Sequence, residues 1–206
     1  MGEMDRLKDE NEELKEKLKK LQKVNSSLKR IHENIQESIF VDEAIRLYNS
    51  RYLNIRLDEE MRRAKRYNQF LSLVLISVDF LVGDEMKDSP EEGRSDFTKK
   101  LGEFIKTNLR DTDIISLYHK DIIALILPET SVEGAVCLSE RLKDQILFAF
   151  FNGEIDNCKK GNSVNIGITS YPTDARVIDE LINNATHMLE RSRGSEGNTI
   201  YCSIMN

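Results

Sequence analysis

Apolar residues return at a seven-residue period over the first part of the chain. With Met4 as an a position, the a series runs Met4, Asn11, Leu18, Asn25, His32, Ile39, and the d series Leu7, Leu14, Leu21, Leu28, Ile35. An apolar residue at every d position marks a coiled coil. Leu at d with Asn at a favours a parallel two-stranded form, because facing asparagines can pair across a dimer axis. In that register Glu3 and Glu10 at g face Lys8 and Lys15 at e of a partner. A charged helix of this length is marginal alone in water. Residues 1–39 are therefore expected to be a dimerisation helix, with Leu7, Asn11, Leu14, Leu18, Leu21, Asn25 and Leu28 at its seam. A lone solvated helix, or one folded back on its own domain, is the alternative.

After Ile39 the pattern changes, and residues 40–206 are expected to form one domain. Leu53, Leu57, Met61 and Ala64 share one face of a helix predicted over Arg51–Tyr67. "LSLVLISVDF" is a near-continuous apolar run, the pattern of a strand covered on both faces. A helix over Asp96–Leu109 carries Phe97, Leu101, Phe104 and Ile105, and a hairpin follows at 114–127 with His119 and Lys120 in its turn. A two-residue hairpin turn normally prefers glycine or asparagine, because its central residues take positive φ. A helix at 131–147, the strand "SVNIGITSYP", a helix at 177–192 and a short strand at 199–204 complete the pattern. Alternating helices and strands around a central hairpin predict an α+β palm with a mixed sheet.

Composition narrows the function classes. Charged residues make up 32% of the 206, yet the net charge is only −6, so there is no basic field for nucleic acid. No apolar run is long enough for a membrane span, and "MGEMDRLKDE" has no apolar signal core. A cytoplasmic location is expected. Cys137, Cys158 and Cys202 show neither a disulfide framework nor metal-ligand spacing, and Cys137 is expected in the core.

The landmarks of residues 40–203 together resemble the GGDEF domain, the catalytic fold of bacterial diguanylate cyclases. Asp42-Glu43-Ala44-Ile45-Arg46-Leu47-Tyr48-Asn49-Ser50-Arg51 is similar to the family's D-x-L-T-G-L-x-N-R-R lead-in. Ser77-Val78-Asp79-Phe80-Leu81-Val82 resembles its D-[IV]-D-x-F-K strand end. His119-Lys120-Asp121-Ile122-Ile123 aligns with the signature hairpin and is followed by "ALILPET". "VNIGITSYPTD" and "ELINNATHMLERSRGSEGN" resemble the family's later strand and final helix.

The resemblance implies a site for joining two GTP molecules, with Mg²⁺ held by carboxylates and cations on the phosphates. The metal-ligand positions are occupied here by Ser77 and Asp121. A neutral serine is a poor seat for a hard divalent ion. The guanine-reading positions fall at Glu85 and Arg94, and a phosphate-binding lysine position at Val82. Arg193 stands at the usual lysine of the final helix, the one phosphate contact left. His119 and Lys120 replace the glycines that let a nucleotide approach the hairpin backbone. A cyclase fold without catalytic residues, metal or cofactor is the expectation. Asp79 and Asp121 remain as carboxylates, and would hold Mg²⁺ only if the domain were an active cyclase of unusual design.

Many family members also carry an R-x-x-D product site just before the signature. Arg110-Asp111-Thr112-Asp113 stands at that position, and Arg141 at the spacing of the family's second arginine. A guanidinium can hold a base edge or phosphate with two hydrogen bonds, and a carboxylate accepts from guanine N–H groups. The string itself recurs at Arg6, Arg141 and Arg176, so only its place before the hairpin gives it meaning. Alternatively Arg110 caps a helix end and Asp113 marks a turn. The implied partners are a second copy of the chain, cyclic di-GMP and an unidentified protein, with neither nucleic acid nor membrane. A nucleotide-independent dimeric scaffold is the rival reading.

Overall fold

The computed structural model describes residues 15–27, 29, 39–79, 90–151, 163–194 and 198–203. The chain divides into two compact units, Met1–Phe40 and Val41–Asn206. In the first unit residues 15–27 form a helix, α1. It leaves Leu18, Leu21 and Val24 exposed by 57%, 68% and 55%. Among the seam residues expected from the heptads, Leu18, Leu21 and Asn25 lie on α1, whereas Leu7, Asn11, Leu14 and Leu28 fall outside the described residues.

The second unit has the expected α+β architecture. In chain order it contains α2 (Ser50–Tyr67), β1 (Leu71–Asp79), α3 (Pro90–Lys106), β2 (Ile114–His119), β3 (Ile122–Pro128), α4 (Val132–Phe151), β4 (Ser163–Tyr171), α5 (Ile178–Arg193) and β5 (Ile200–Tyr201). The sheet order is β2-β3-β1-β4-β5. β1 is antiparallel to both β3 and β4, and β5 runs parallel to β4. The mixed sheet follows from local sequence: a two-residue turn joins β2 to β3, which only antiparallel strands permit.

The apolar run of β1 is explained by its two covered faces. Val74, Ile76 and Val78 pack with Leu101, Ile105, Leu142 and Ile146 on the α3/α4 side. Leu71, Leu73 and Leu75 pack with Leu53, Leu57, Met61, Leu181 and Leu189 on the α2/α5 side. Side chains alternate between faces along a strand, so the odd-numbered Ser77 and Asp79 continue the α5 side. α2 starts where the Asn49 side chain accepts from the Arg51 and Tyr52 amides at 3.1 and 3.2 Å. It stops at Asn68, which has the left-handed φ of 52°. α3 starts at Pro90, earlier than the spacing of its aromatic residues alone implied, because proline suits a first helical turn.

The lead-in to α2 is a tight loop. Asp42 Oδ1 accepts from the Ala44 and Ile45 amides at 3.1 and 3.0 Å, and the Arg46 amide donates back to the Asp42 carbonyl at 2.8 Å. That closure holds Arg46 at φ 62°, at the place where the resembled motif carries glycine. A left-handed residue with a Cβ costs roughly 1–2 kcal/mol, and glycine returns part of that through its freer unfolded state. Arg46→Gly is expected to raise stability by about 0.5–1 kcal/mol. The urea midpoint at unchanged slope is the check, and an unchanged or lower midpoint contradicts the strain. The loop then covers the outer edge of β2, where the Leu117 amide donates to the Tyr48 carbonyl at 2.6 Å.

Candidate functional site

The end of β1 sets the geometry. Ser77 pairs with Asn165 on β4 and with Ile122 on β3, and Asp79 pairs with Ser163. Ser77 is buried, at 1% exposure. Arg193, in the last turn of α5, reaches over the sheet and donates from Nη2 to Ser77 Oγ at 2.5 Å. Asp79 does not share that oxygen. Its Oδ2 accepts from Asn165 Nδ2 at 3.0 Å and from Ser163 Oγ at 3.2 Å. Ser192, beside Arg193, is tied down separately by donating to the Thr199 carbonyl at 2.6 Å. Arg193, expected as a phosphate contact, is anchored on this buried hydroxyl.

The hairpin differs from the sequence expectation. His119 pairs with Ile122, so the two turn residues are Lys120 and Asp121, and a bulge lies between Leu117 and His119. None of the described positive-φ residues, Arg46, Asn68, Glu129 and Asn198, belongs to the turn. The extra residue of a bulge supplies local twist, so the bulky turn carries no left-handed strain. Asp121 faces Arg94 of α3, with Arg94 Nη1 and Asp121 Oδ2 3.4 Å apart. These are the two positions that the resemblance assigned to metal and guanine. Their side chains are 49% and 40% exposed, so the pair contributes little to stability. Ile122, beside Ser77, packs into the α2/α5 core. Glu85 and Val82 fall outside the described residues.

These side chains do not fit a divalent cation. Among the described residues no cluster of three or more His, Cys, Asp or Glu could hold a metal. Ser77 Oγ is engaged by a guanidinium, Asp79 by an amide and a hydroxyl, and Asp121 by Arg94.

The second cluster lies on the loop after α3. α3 ends at Lys106, so Arg110 stands beyond the helix rather than capping it. Asp113 Oδ2 accepts from the Arg110 amide at 2.9 Å, and the Asp113 amide donates to the Arg110 carbonyl at 3.0 Å. This reciprocal pair shapes the loop and leaves Arg110 exposed. Burial raises the Asp113 pKa, while its hydrogen bond from the Arg110 amide and the Arg110 charge oppose that rise. From α4, Arg141 Nη2 donates to the Asn108 carbonyl at 3.2 Å. Arg141 therefore reaches the same loop, two residues before Arg110. Next to it Phe104, Asn108, Asp144, Gln145, Phe148 and Ala149 line an open groove of about 360 Å³. Phe148 there is 74% exposed. Cys137, expected in the core, is exposed on α4, because the buried stripe of that helix runs through Val132, Ala135, Ser139 and Leu142.

The family model of the diguanylate cyclase GGDEF domain matches residues 39–199. The chain belongs to the GGDEF family. Its GGDEF domain is 22% identical over 167 residues to the response regulator PleD of Caulobacter vibrioides (strain NA1000 / CB15N), covering 80% of this chain and 36% of that protein. The chain thus spans little more than a third of PleD. Two solved structures share the fold. One is the coiled coil and GGDEF domain of DgcB from Caulobacter crescentus in complex with c-di-GMP, with TM-score 0.69, 13% identity, and 91% and 97% of the two chains covered. The other is the diguanylate cyclase SiaD in complex with its activator SiaC from Pseudomonas aeruginosa, with TM-score 0.62, 19% identity, and coverages of 96% and 79%. Among the described residues no helix of this GGDEF protein is long and apolar enough to cross a membrane.

Sequence reasoning missed the polar network behind the site. Asn165 lies on the polar phase of "SVNIGITSY", yet it is buried on the strand that pairs with Ser77. A lone amide inside a buried strand needs a partner, and that was the available signal. The Arg94–Asp121 pair left no such trace, since the two residues are far apart in sequence.

Proposed function

We propose that this GGDEF domain has lost cyclase chemistry and serves as a cyclic di-GMP receptor through Arg110, Asp113 and Arg141. The observation that carries the first half is Ser77, a neutral buried hydroxyl taken up by Arg193, at the position where the resembled family carries a metal-binding carboxylate. The second half is supported by the loop geometry. Asp113 holds the loop while the Arg110 guanidinium faces solvent, and Arg141 comes to the same loop from α4. Guanine offers N–H donors to a carboxylate, and its Hoogsteen edge or a phosphate offers acceptors to arginine. The adjoining groove is within the size range of small-molecule sites.

The heptad pattern and the exposed Leu18, Leu21 and Val24 of α1 support a parallel homodimer that would present two such sites together. Receptor occupancy would then be read by a partner protein. Calorimetry on the full chain is expected to give micromolar or tighter cyclic di-GMP binding, with no conversion of GTP in Mg²⁺ or Mn²⁺ and a dimer mass by sedimentation. No heat at high ligand concentration would leave the scaffold reading in its place. Turnover of GTP that is lost in Asp121→Asn would restore the enzyme.

A further inference from the structure

We infer that the groove between α3 and α4 seats the second guanine base of the cyclic dinucleotide whose first base is held at Arg110 and Asp113. Phe148 is its stacking platform, and Gln145 and Asp144 read its edge. The inference deepens the receptor reading of that loop, and it rests on that reading.

Three observations carry it. The groove is continuous with the loop: Asn108 lines it, and the Asn108 carbonyl accepts from Arg141 Nη2 at 3.2 Å. Arg110 follows two residues later, so its Cα lies at most about 7 Å from that of Asn108. On α4, Arg141, Gln145 and Phe148 stand at i, i+4 and i+7, in one row along the helix surface. That row leads from the arginine into the groove. The second observation is a ring turned outward. Phe148 is 74% exposed, whereas Phe150 and Phe151 pack against Phe97. An exposed phenyl ring on a groove wall offers its face to a base. The third is an orphaned acceptor. Gln145 Oε1 is buried and has no hydrogen-bond partner among the described residues. Such an atom costs free energy, and the terminal torsion of glutamine is soft. Turning the amide toward the groove gives up no bond at that oxygen, and a guanine N–H supplies one.

Guanine suits this wall better than adenine. Its N1–H and N2–H groups are adjacent donors, and Gln145 Oε1 and the exposed Asp144 carboxylate are both acceptors. Adenine would turn its N1 lone pair toward the same acceptors, which repels. The volume of about 360 Å³ is at the small end of ligand sites, in keeping with one base of a larger ligand.

Calorimetry on the full chain, with cyclic di-GMP and cyclic di-AMP as probes, is the test. Phe148→Ala is expected to bind cyclic di-GMP on the order of tenfold more weakly, and Phe148→Tyr as wild type does. Gln145→Leu should bind it about 3- to 10-fold more weakly with no fall in melting temperature, because it removes an unpaired polar atom. Cyclic di-AMP should bind on the order of tenfold more weakly than cyclic di-GMP. Unchanged affinity in Phe148→Ala, with Arg110→Ala weakened, would overturn the inference and leave the loop as receptor. Loss in Phe148→Ala with Arg110→Ala unaffected would support the groove and sink the loop instead. No heat from wild type ends both. A marked drop in melting temperature for Gln145→Leu would make that residue structural and remove it from the site. Loss of dimer mass in Phe148→Ala would make the groove a contact between copies, which also refutes the inference.

Discussion

Gly167→Ala is expected to destabilise the domain by about 3 kcal/mol or more, the largest single-methyl effect foreseen in this chain. A Cβ at position 167 would lie 2.4 Å from the Leu189 amide nitrogen and 2.5 Å from the Ala185 carbonyl oxygen. Those are backbone atoms of α5 and cannot swing aside as a flexible side chain can. The glycine is needed for space and not for an unusual backbone angle. Relief requires α5 to lift from β4, which opens the contacts of Leu181, Ala185 and Leu189 with the sheet. For a chain of this size the loss corresponds to a fall in melting temperature of roughly 6–12 °C. A thermal melt followed by circular dichroism measures it, and a fall under about 2 °C would contradict the close helix–strand contact. The same lift would draw Arg193 away from Ser77, so the variant also reports on how the cleft is built. By contrast Gly102 would meet only the Leu47 side-chain tip, which can turn, and a milder effect is expected there.

Much of this architecture was legible from residue patterns, for specific reasons. "LSLVLISV" predicted a strand covered on both faces, and the two packed clusters are those faces. Leu53, Leu57, Met61 and Ala64 were placed on one helical face, and all four are buried. What escaped was set by contacts between distant residues. The hairpin turn moved by one residue because a bulge can form between Leu117 and His119, and no local glycine or asparagine marks such a bulge. Cys137 was read as core from its apolar neighbours, yet an α-helix of 20 residues turns its flank outward at that position. The cleft was half legible. The serine at 77 was visible in the sequence, but its bond to Arg193 spans 116 positions and depends on how α5 lies across β4. The loop pair of Arg110 and Asp113 is local, with i,i+3 spacing, and such pairs are the kind a string of letters can reveal.

Arg110→Ala is expected to weaken cyclic di-GMP binding by about 2–3 kcal/mol, on the order of 30- to 150-fold. The substitution leaves the backbone amide that donates to Asp113 Oδ2, so the loop should keep its shape. Only the guanidinium is removed, and Arg110 is exposed, so stability should change little. Its charge also opposes the burial-driven rise of the Asp113 pKa, and its loss lets that pKa rise further. The pH dependence follows with a definite sign. Asp113 must be ionised to accept from guanine N–H groups, and its folded-state pKa lies above the ordinary carboxylate value. Affinity should therefore be full at neutral pH and fall on acidification, with onset at a higher pH than an unperturbed aspartate would give. In Arg110→Ala the onset should move higher still. Arg141→Ala should weaken binding as well, while freeing the Asn108 carbonyl to bond with water. Calorimetric titrations across pH on wild type and both variants decide the matter. Unchanged affinity in Arg110→Ala, with heat retained, would move the ligand off this loop altogether.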